Sequence, residues 1–207
     1  MNTFKKWTGR LLGEGTFKPI LLILSLTPLG WIIADHFIRG RGANLIERIL
    51  HQTGDLALSF LLITLAATPA RLITGWTWPL KLRRMSGLFT FFYASLHFLT
   101  YVAMERFFSW DIIKKDIMRP RIITGFVSFL ILIPLAITSS DLALLREGIK
   151  RWQKLHRLTY LAATAGIIHY LWLVKRDRKM PLVYAAVFAA FMAYRAVHWI
   201  SRKRNMP

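Results

Sequence analysis

Two histidines of this sequence lie inside long apolar stretches, where an imidazole ring needs a specific partner. His97 lies in the segment YASLHFL and His169 in the segment GIIHYLW. A polar side chain within hydrocarbon costs free energy unless it is paired, so each ring is a candidate functional group. Two neutral imidazoles that face one another across an apolar slot are a ligand set for haem iron. We therefore predict that His97 and His169 bind one haem b; hydrogen bonding between packed helices is the alternative role.

Two further histidines are candidates of a different kind. His156 precedes His169 by 13 residues, which is about 20 Å along an ideal helix, with a rotation of about 140° between the two side chains. One straight helix would therefore not point both rings at the same stack of cofactors. His156 could ligate a second haem, bind a haem propionate, a lipid headgroup or a flavin phosphate, or lie solvated at a helix start. His51 could cap a haem from the outer side or simply cap the second helix.

Three arginines and two glycines could also contact a cofactor. Arg71, Arg83 and Arg84 flank the connection between the second and third apolar stretches. A guanidinium fork suits a haem propionate or a flavin phosphate, although the enrichment of basic residues in cytoplasmic loops explains the same arginines. Gly87 and Gly166 could leave room for a flat macrocycle or serve close helix packing. We include the three arginines among the candidate cofactor-binding residues.

These residues must be positioned by membrane-spanning helices. The sequence is 55% hydrophobic, with a mean hydropathy of +0.40, which is more apolar than a soluble domain needs. A helix crosses the hydrocarbon core with about 20 residues, and its backbone polar groups must pair internally. We therefore predict an all-α membrane protein, a bundle of about six transmembrane helices. The predicted spans are 19–37, 52–70, 86–105, 121–138, 155–174 and 181–200.

The basic residues predict the orientation of these helices. Lys and Arg are more frequent in the segments on the side of the two termini than on the opposite side, so the positive-inside rule places both termini in the cytoplasm. We expect residues 1–18 to form an interfacial N-terminal segment, residues 19–200 a single transmembrane haem domain, and residues 201–207 a basic cytoplasmic tail. His97 and His169 would then lie nearer the outer surface.

Composition excludes several other kinds of site. There is no cysteine, which rules out disulfides, thiolate catalysis, cysteine-ligated iron–sulfur clusters and covalently attached c-type haem. The net charge of +19 comes largely from short basic runs between apolar stretches, where lipid headgroups are better partners than nucleic acid. Acidic residues are nearly absent from the spans, which argues against a proton-coupled transporter of the carboxylate type.

Five short motifs together resemble the ferric-reductase-like transmembrane family. They are RRMSGL from Arg83, SLH ending at His97, ITS from Ile137, WQKLHRL around His156 and IHYLW around His169. The resemblance covers nearly the whole chain and is closest to the haem-binding membrane subunits of bacterial methionine sulfoxide reductase systems. It implies that His97, His156 and His169 occupy haem-ligand positions. The related oxidases place two ligand histidines on helix three and two on helix five. Helix three has only His97 here, which leaves either one or two haems.

The resemblance also implies a function. Members of the family transfer electrons across the bacterial inner membrane and use haem b and FMN. The donor is a cytoplasmic flavin reductase or the quinone pool. The acceptor is a periplasmic molybdopterin methionine sulfoxide reductase, which repairs oxidised envelope proteins. The residues alone leave two other classes open: a small polytopic transporter or channel with histidines along a polar path, and a structural membrane anchor without haem.

Overall fold

The computed structural model describes residues 14–39, 45–140, 148–174 and 178–204, together with Ala143 and Leu145. In this part of the chain every regular element is a helix, which confirms the all-α prediction. Residues 1–13 of the predicted N-terminal segment and 205–207 of the predicted tail lie outside the described residues. The helices are α1 (Glu14–Arg39), α2 (Leu45–Thr74), α3 (Trp78–Leu99), α4 (Trp110–Ile117), α5 (Pro120–Ile137), α6 (Ile149–His156), α7 (Leu158–Leu173) and α8 (Lys179–Arg204).

Four of the described helices are long and apolar enough to cross a membrane. They are α2, α3 with the π-helical turn Thr100–Glu105 that continues it, α5 and α8. Pro19–Asp35 within α1 is a shorter apolar segment, and α7 has 16 residues. Ile63, Leu99 and Val197 are between 44% and 63% exposed, as suits a surface in contact with lipid rather than water. The protein is therefore a multi-pass membrane protein, and four of the six predicted spans meet the requirement for length and composition.

The chain divides into two compact units between Ile49 and Leu50. In the first unit, the carboxylate of Asp35 near the end of α1 is buried. Arg48, in the first turn of α2, donates to it, with Nη1 and Oδ2 3.0 Å apart. A buried charge is tolerated when it is paired, so this ion pair accounts for an acidic residue at the end of an apolar helix.

The core of the second unit lies between α2, α5 and α7. It includes Leu65 of α2, Leu132 of α5 and the fully buried Ala162 and Ala163 of α7. Ser128 of α5 donates a hydrogen bond to the carbonyl oxygen of Ala162 at 2.9 Å. Small residues allow two helices to approach closely, and α5 and α7 pack together along much of their length. This packing fixes the register of the two helices relative to each other.

The span predicted at 155–174 is not one helix, which corrects the expected geometry of its two histidines. Helix α6 ends at His156, Arg157 forms a turn and α7 begins at Leu158. The rotation expected between His156 and His169 assumed one straight helix, so it does not apply.

The connection between α2 and α3 is shorter than predicted. Helix α2 ends where Gly75 adopts a φ of 70° and its N–H donates to the carbonyl oxygen of Arg71 at 2.8 Å, a left-handed C-cap that glycine favours. Helix α3 then begins at Trp78, earlier than predicted. Arg83 and Arg84 therefore lie in the second turn of a helix and not in a loop.

Candidate functional site

The structure brings the two intramembrane histidines together. His97 lies in the last turn of α3 and His169 lies near the end of α7. Their ring centroids are 6.3 Å apart and their ring planes are nearly perpendicular, at 82°. We call these two residues the paired-histidine site.

A backbone carbonyl fixes the protonation of each ring. Nδ1 of His97 lies 2.9 Å from the carbonyl oxygen of Leu50 in α2, and Nδ1 of His169 lies 2.5 Å from that of Arg121 in α5. A carbonyl oxygen can only accept a hydrogen bond, so Nδ1 must be the protonated nitrogen in both rings. Each Nε2 then carries a lone pair, which is the state that binds a metal.

The spacing of the rings fits a single metal atom between them. An imidazole nitrogen binds a transition metal at about 2 Å and lies roughly 1 Å from its ring centroid, so two rings that share one metal have centroids about 6 Å apart. Among the described residues, no group of three or more His, Cys, Asp or Glu side chains could hold a metal ion. Two protein ligands suit haem iron, because the macrocycle supplies the other four nitrogens.

A second candidate site is a cavity at the opposite ends of α3 and α7. Its walls include Arg83 and Arg84 of α3, Trp152 and His156 of α6, and hydroxyl groups such as that of Thr159. The cavity has a volume of about 230 Å³, which is smaller than most pockets that enclose a whole cofactor. It suits the carboxylate-bearing or phosphate-bearing edge of a cofactor. We call it the arginine–histidine cavity.

Side chains, and not only backbone groups, hold His156 in this cavity. Its Nε2 lies 3.2 Å from Oγ1 of Thr138, and its ring stacks on Trp152 with centroids 4.0 Å apart. Nε1 of Trp152 donates in turn to the carbonyl oxygen of Thr138 at 2.9 Å. The three residues therefore form one hydrogen-bonded and stacked group at the end of α5.

The cavity has a positive electrostatic character. It contains two arginines, and none of the described residues that line it carries a carboxylate. Burial, and then the charge of Arg83, lower the pKa of His156 below its usual value, partly offset by the bond to Thr138. The imidazole therefore stays neutral near pH 7, and the arginines are the groups that would attract an anion.

Comparisons with known protein families and with individual proteins give consistent results. The sequence model described as "Ferric reductase like transmembrane component" matches residues 53–167. A protein-methionine-sulfoxide reductase heme-binding subunit MsrQ from Rhodospirillum rubrum is 46% identical over 186 residues, which cover 89% of each chain. MsrQ of Herminiimonas arsenicoxydans is 44% identical over 91% of this chain and 87% of its own length, and MsrQ of Deinococcus radiodurans is 42% identical over 83% and 85%. The chain belongs to the MsrQ family.

The two kinds of match cover different parts of the candidate sites. The ferric reductase match contains Arg83, Arg84, His97 and His156 but ends before His169. The MsrQ sequences match far more of the chain. The similarity to MsrQ therefore covers about nine tenths of the chain, whereas the broader match covers residues 53–167.

The remaining sequence candidates lie outside these two sites. Arg71 is exposed near the end of α2 and is not among the described residues that line the cavity. His51 is exposed and lies next to Leu50, whose carbonyl binds His97. Sequence reasoning gave no role to Trp152 or Thr138, although both lie in motifs that carried the family resemblance.

Proposed function

We propose that this member of the MsrQ family is a transmembrane electron-transfer subunit that binds haem b between His97 and His169. The observation that carries the proposal is the pair of imidazoles with centroids 6.3 Å apart. Each is held through Nδ1 by a backbone carbonyl, which leaves Nε2 to ligate iron. Bound haem would supply an iron that accepts and releases one electron at a time.

The arginine–histidine cavity is the proposed second cofactor site. His156 would be a ligand of a second haem, or Arg83 and Arg84 would bind a haem propionate or the phosphate of FMN through charge-assisted hydrogen bonds. Arg71, exposed at the same end of the bundle, would contact a cofactor or the electron donor. Helix α7 has 16 residues, about 24 Å at 1.5 Å per residue, so sites at its two ends would divide the distance across the bilayer.

The direction of transfer follows from the predicted orientation. With both termini in the cytoplasm of a bacterium, the arginine–histidine cavity faces the cytoplasm and the paired-histidine site faces the periplasm. Electrons would enter from a cytoplasmic flavin reductase or the quinone pool and leave to a periplasmic molybdopterin methionine sulfoxide reductase. The protein would lie in the inner membrane, with residues 19–200 as one transmembrane haem domain and His51 near its outer surface.

Absorption spectroscopy tests this proposal directly. The protein purified in detergent with haem supplied should show b-type Soret and α bands in its reduced-minus-oxidised spectrum. His97→Ala and His169→Ala should each lose most of the haem bound at the paired-histidine site. His198→Ala is the matched control, because His198 lies on α8 and stacks on Tyr194.

Three outcomes would contradict the proposal. A colourless protein that carries a solute across liposomes would indicate a transporter or channel. A colourless protein that supports its partner after both histidines are replaced would indicate a structural anchor. Full haem retention in both His97→Ala and His169→Ala would reject the ligand pair.

A further inference from the structure

Two glycines on neighbouring helices lie directly against the paired histidines. A Cβ atom added to Gly54 of α2 would lie 3.2 Å from both Nδ1 and Cε1 of His97. A Cβ atom added to Gly125 of α5 would lie 2.7 Å from Nδ1 and 2.8 Å from Cε1 of His169. The second contact is closer than any real Cβ atom tolerates, so an alanine at position 125 would displace either the ring or the helix.

The two glycines occupy the same position relative to the carbonyl that binds the ring. Gly54 lies four residues after Leu50, and Gly125 lies four residues after Arg121. The Cα–Cβ bond of a helical residue tilts toward the N-terminus, so a side chain covers the turn that precedes its own Cα. A side chain at either position would therefore cover the carbonyl oxygen four residues earlier, and glycine leaves that oxygen open to the imidazole.

A threonine precedes each glycine and completes a repeated arrangement. Oγ1 of Thr53 donates to the carbonyl oxygen of Leu50 at 3.1 Å, and Oγ1 of Thr124 lies within 3.2 Å of that of Arg121. Both Thr-Gly pairs thus surround a carbonyl that binds a histidine of a later helix. The same local arrangement therefore occurs twice: on α2 for His97 of α3, and on α5 for His169 of α7.

We propose that Gly54 and Gly125 are positioning residues for His97 and His169. They orient the two rings by keeping the carbonyls of Leu50 and Arg121 accessible to Nδ1. This inference rests on the proposed haem ligation. The open carbonyl fixes both the tautomer and the plane of each ring, so each Nε2 would be presented to a bound haem in one orientation. Partners of a ligating histidine typically change metal affinity by about 10- to 100-fold when they are lost.

Two other helical glycines provide matched controls. A Cβ atom on Gly30 of α1 would meet no atom within 4 Å, and one on Gly166 of α7 would lie 3.5 Å from Oγ of Ser128, an ordinary van der Waals contact. Gly30→Ala and Gly166→Ala therefore test the replacement of a helical glycine without entering the space of either paired histidine ring.

The experiment combines haem titration with electron paramagnetic resonance. We expect Gly125→Ala to weaken haem binding by about 10- to 100-fold and Gly54→Ala to weaken it less, because its contact is 3.2 Å rather than 2.7 Å. In both variants the low-spin ferric signal should change in anisotropy, which depends on the angle between the two imidazole planes. Both controls should keep the parental affinity and signal.

The possible failures can be told apart. If the parental protein binds no haem, the proposed function fails. If the parent binds haem and the Gly54 and Gly125 variants keep its affinity and signal, or if all four variants lose haem equally, the positioning role is rejected. If Gly125→Ala does not accumulate as a monodisperse protein, Gly54→Ala is the variant that tests the proposal. The His97 ring beside it needs to move by only a few tenths of an ångström.

Discussion

The two candidate sites lie at opposite ends of the same helices and are built from different groups. At the paired-histidine site, each imidazole is bound by a backbone carbonyl and lies against a glycine. At the arginine–histidine cavity, the imidazole of His156 is bound by a threonine hydroxyl and an indole ring, and two arginines lie nearby. One site is made largely from the backbone of packed helices, and the other from side chains.

The two sites therefore differ in how far they can adapt to a bound group. A carbonyl in a packed helix cannot move without the helix, so it holds a ring in one orientation. Threonine, tryptophan and arginine side chains can change rotamer and accommodate more than one anionic partner. The paired-histidine site therefore suits fixed ligation of one iron, and the cavity suits an anionic group that is exchanged or only partly enclosed.

The largest expected effect tests whether the two sites are independent. The double variant His97→Ala/His169→Ala should lose the haem of the paired-histidine site, whereas His156→Ala should keep that haem and its low-spin signal. The haem-to-protein ratio, measured as the pyridine haemochrome, distinguishes the variants. Loss of all haem in His156→Ala would mean that the cavity is needed to load or retain haem at the other end.

The next largest effect concerns α8, which is hydrogen-bonded to α7 and α2 through Arg195. Arg195 of α8 donates to the Tyr160 hydroxyl and to the carbonyl oxygen of Leu65, the latter at 2.7 Å. Arg195→Met should lower the free energy of unfolding by about 2 kcal/mol, because hydrogen bonds from a charged donor are lost within the bundle. Unfolding by dodecyl sulfate in mixed micelles, followed by tryptophan fluorescence, measures this change.

The control for this prediction keeps the charge. Arg195→Lys should recover only part of the stability, since an ammonium group cannot bind two acceptors with a planar fork. Neither variant should alter the signal of the paired-histidine site. A changed signal would show that α8 helps to position the paired histidine rings.

Acidification should destabilise the arginine–histidine cavity. The pKa of His156 is lowered by burial and by Arg83. As the pH falls below the usual value of 6.5, the unfolded chain takes up a proton before the folded chain does, so unfolding becomes easier. The loss of stability should level off once the pH is below the folded pKa, and solvent keeps it smaller than the Arg195 effect.

Melting curves in detergent at pH 7.5 and 5.5 measure this effect, which is expected to shrink in His156→Gln because glutamine does not titrate. An equal pH dependence in the parent and in His156→Gln would place the responsible group elsewhere.

The lengths of the apolar stretches predicted the helices of the second unit better than the ends of those helices. Spans of apolar residues identify α2, α5 and α8 because hydrocarbon requires internal pairing of the backbone. The break at Arg157 was not predictable, since neither a proline nor a glycine marks it. Helix α3 began earlier than predicted because Trp78, Pro79 and the basic residues after them lie outside the apolar stretch.

The histidines of the candidate sites were identifiable from the sequence, but their supports were not. The position of His97 and His169 deep within apolar stretches was enough to suggest them as ligands, because an isolated polar ring is rare there. The sequence suggested Gly87 and Gly166 as the glycines that leave room for a cofactor, whereas Gly54 and Gly125 are the glycines that lie against the rings. A Thr-Gly pair is too short to stand out, and its partner histidine lies more than 40 residues later.

The smallest expected effect concerns the support of α8 near the paired-histidine site. The hydroxyl of Tyr184 and Oγ of Ser59 are 2.8 Å apart, and the Tyr184 ring lies 6.0 Å from that of Tyr170, the residue after His169. Tyr184→Phe should cost about 0.6 kcal/mol, the average for one hydrogen bond between membrane helices. Ser59→Ala should cost no more than this, because the Tyr184 hydroxyl also donates to the carbonyl oxygen of Asp55 at 3.4 Å. The double variant should cost no more than Tyr184→Phe, since Tyr184→Phe already removes the bond to Ser59. A loss of stability several times larger in Tyr184→Phe alone, with a changed haem signal, would mean that the paired-histidine site also depends on side chains of α8.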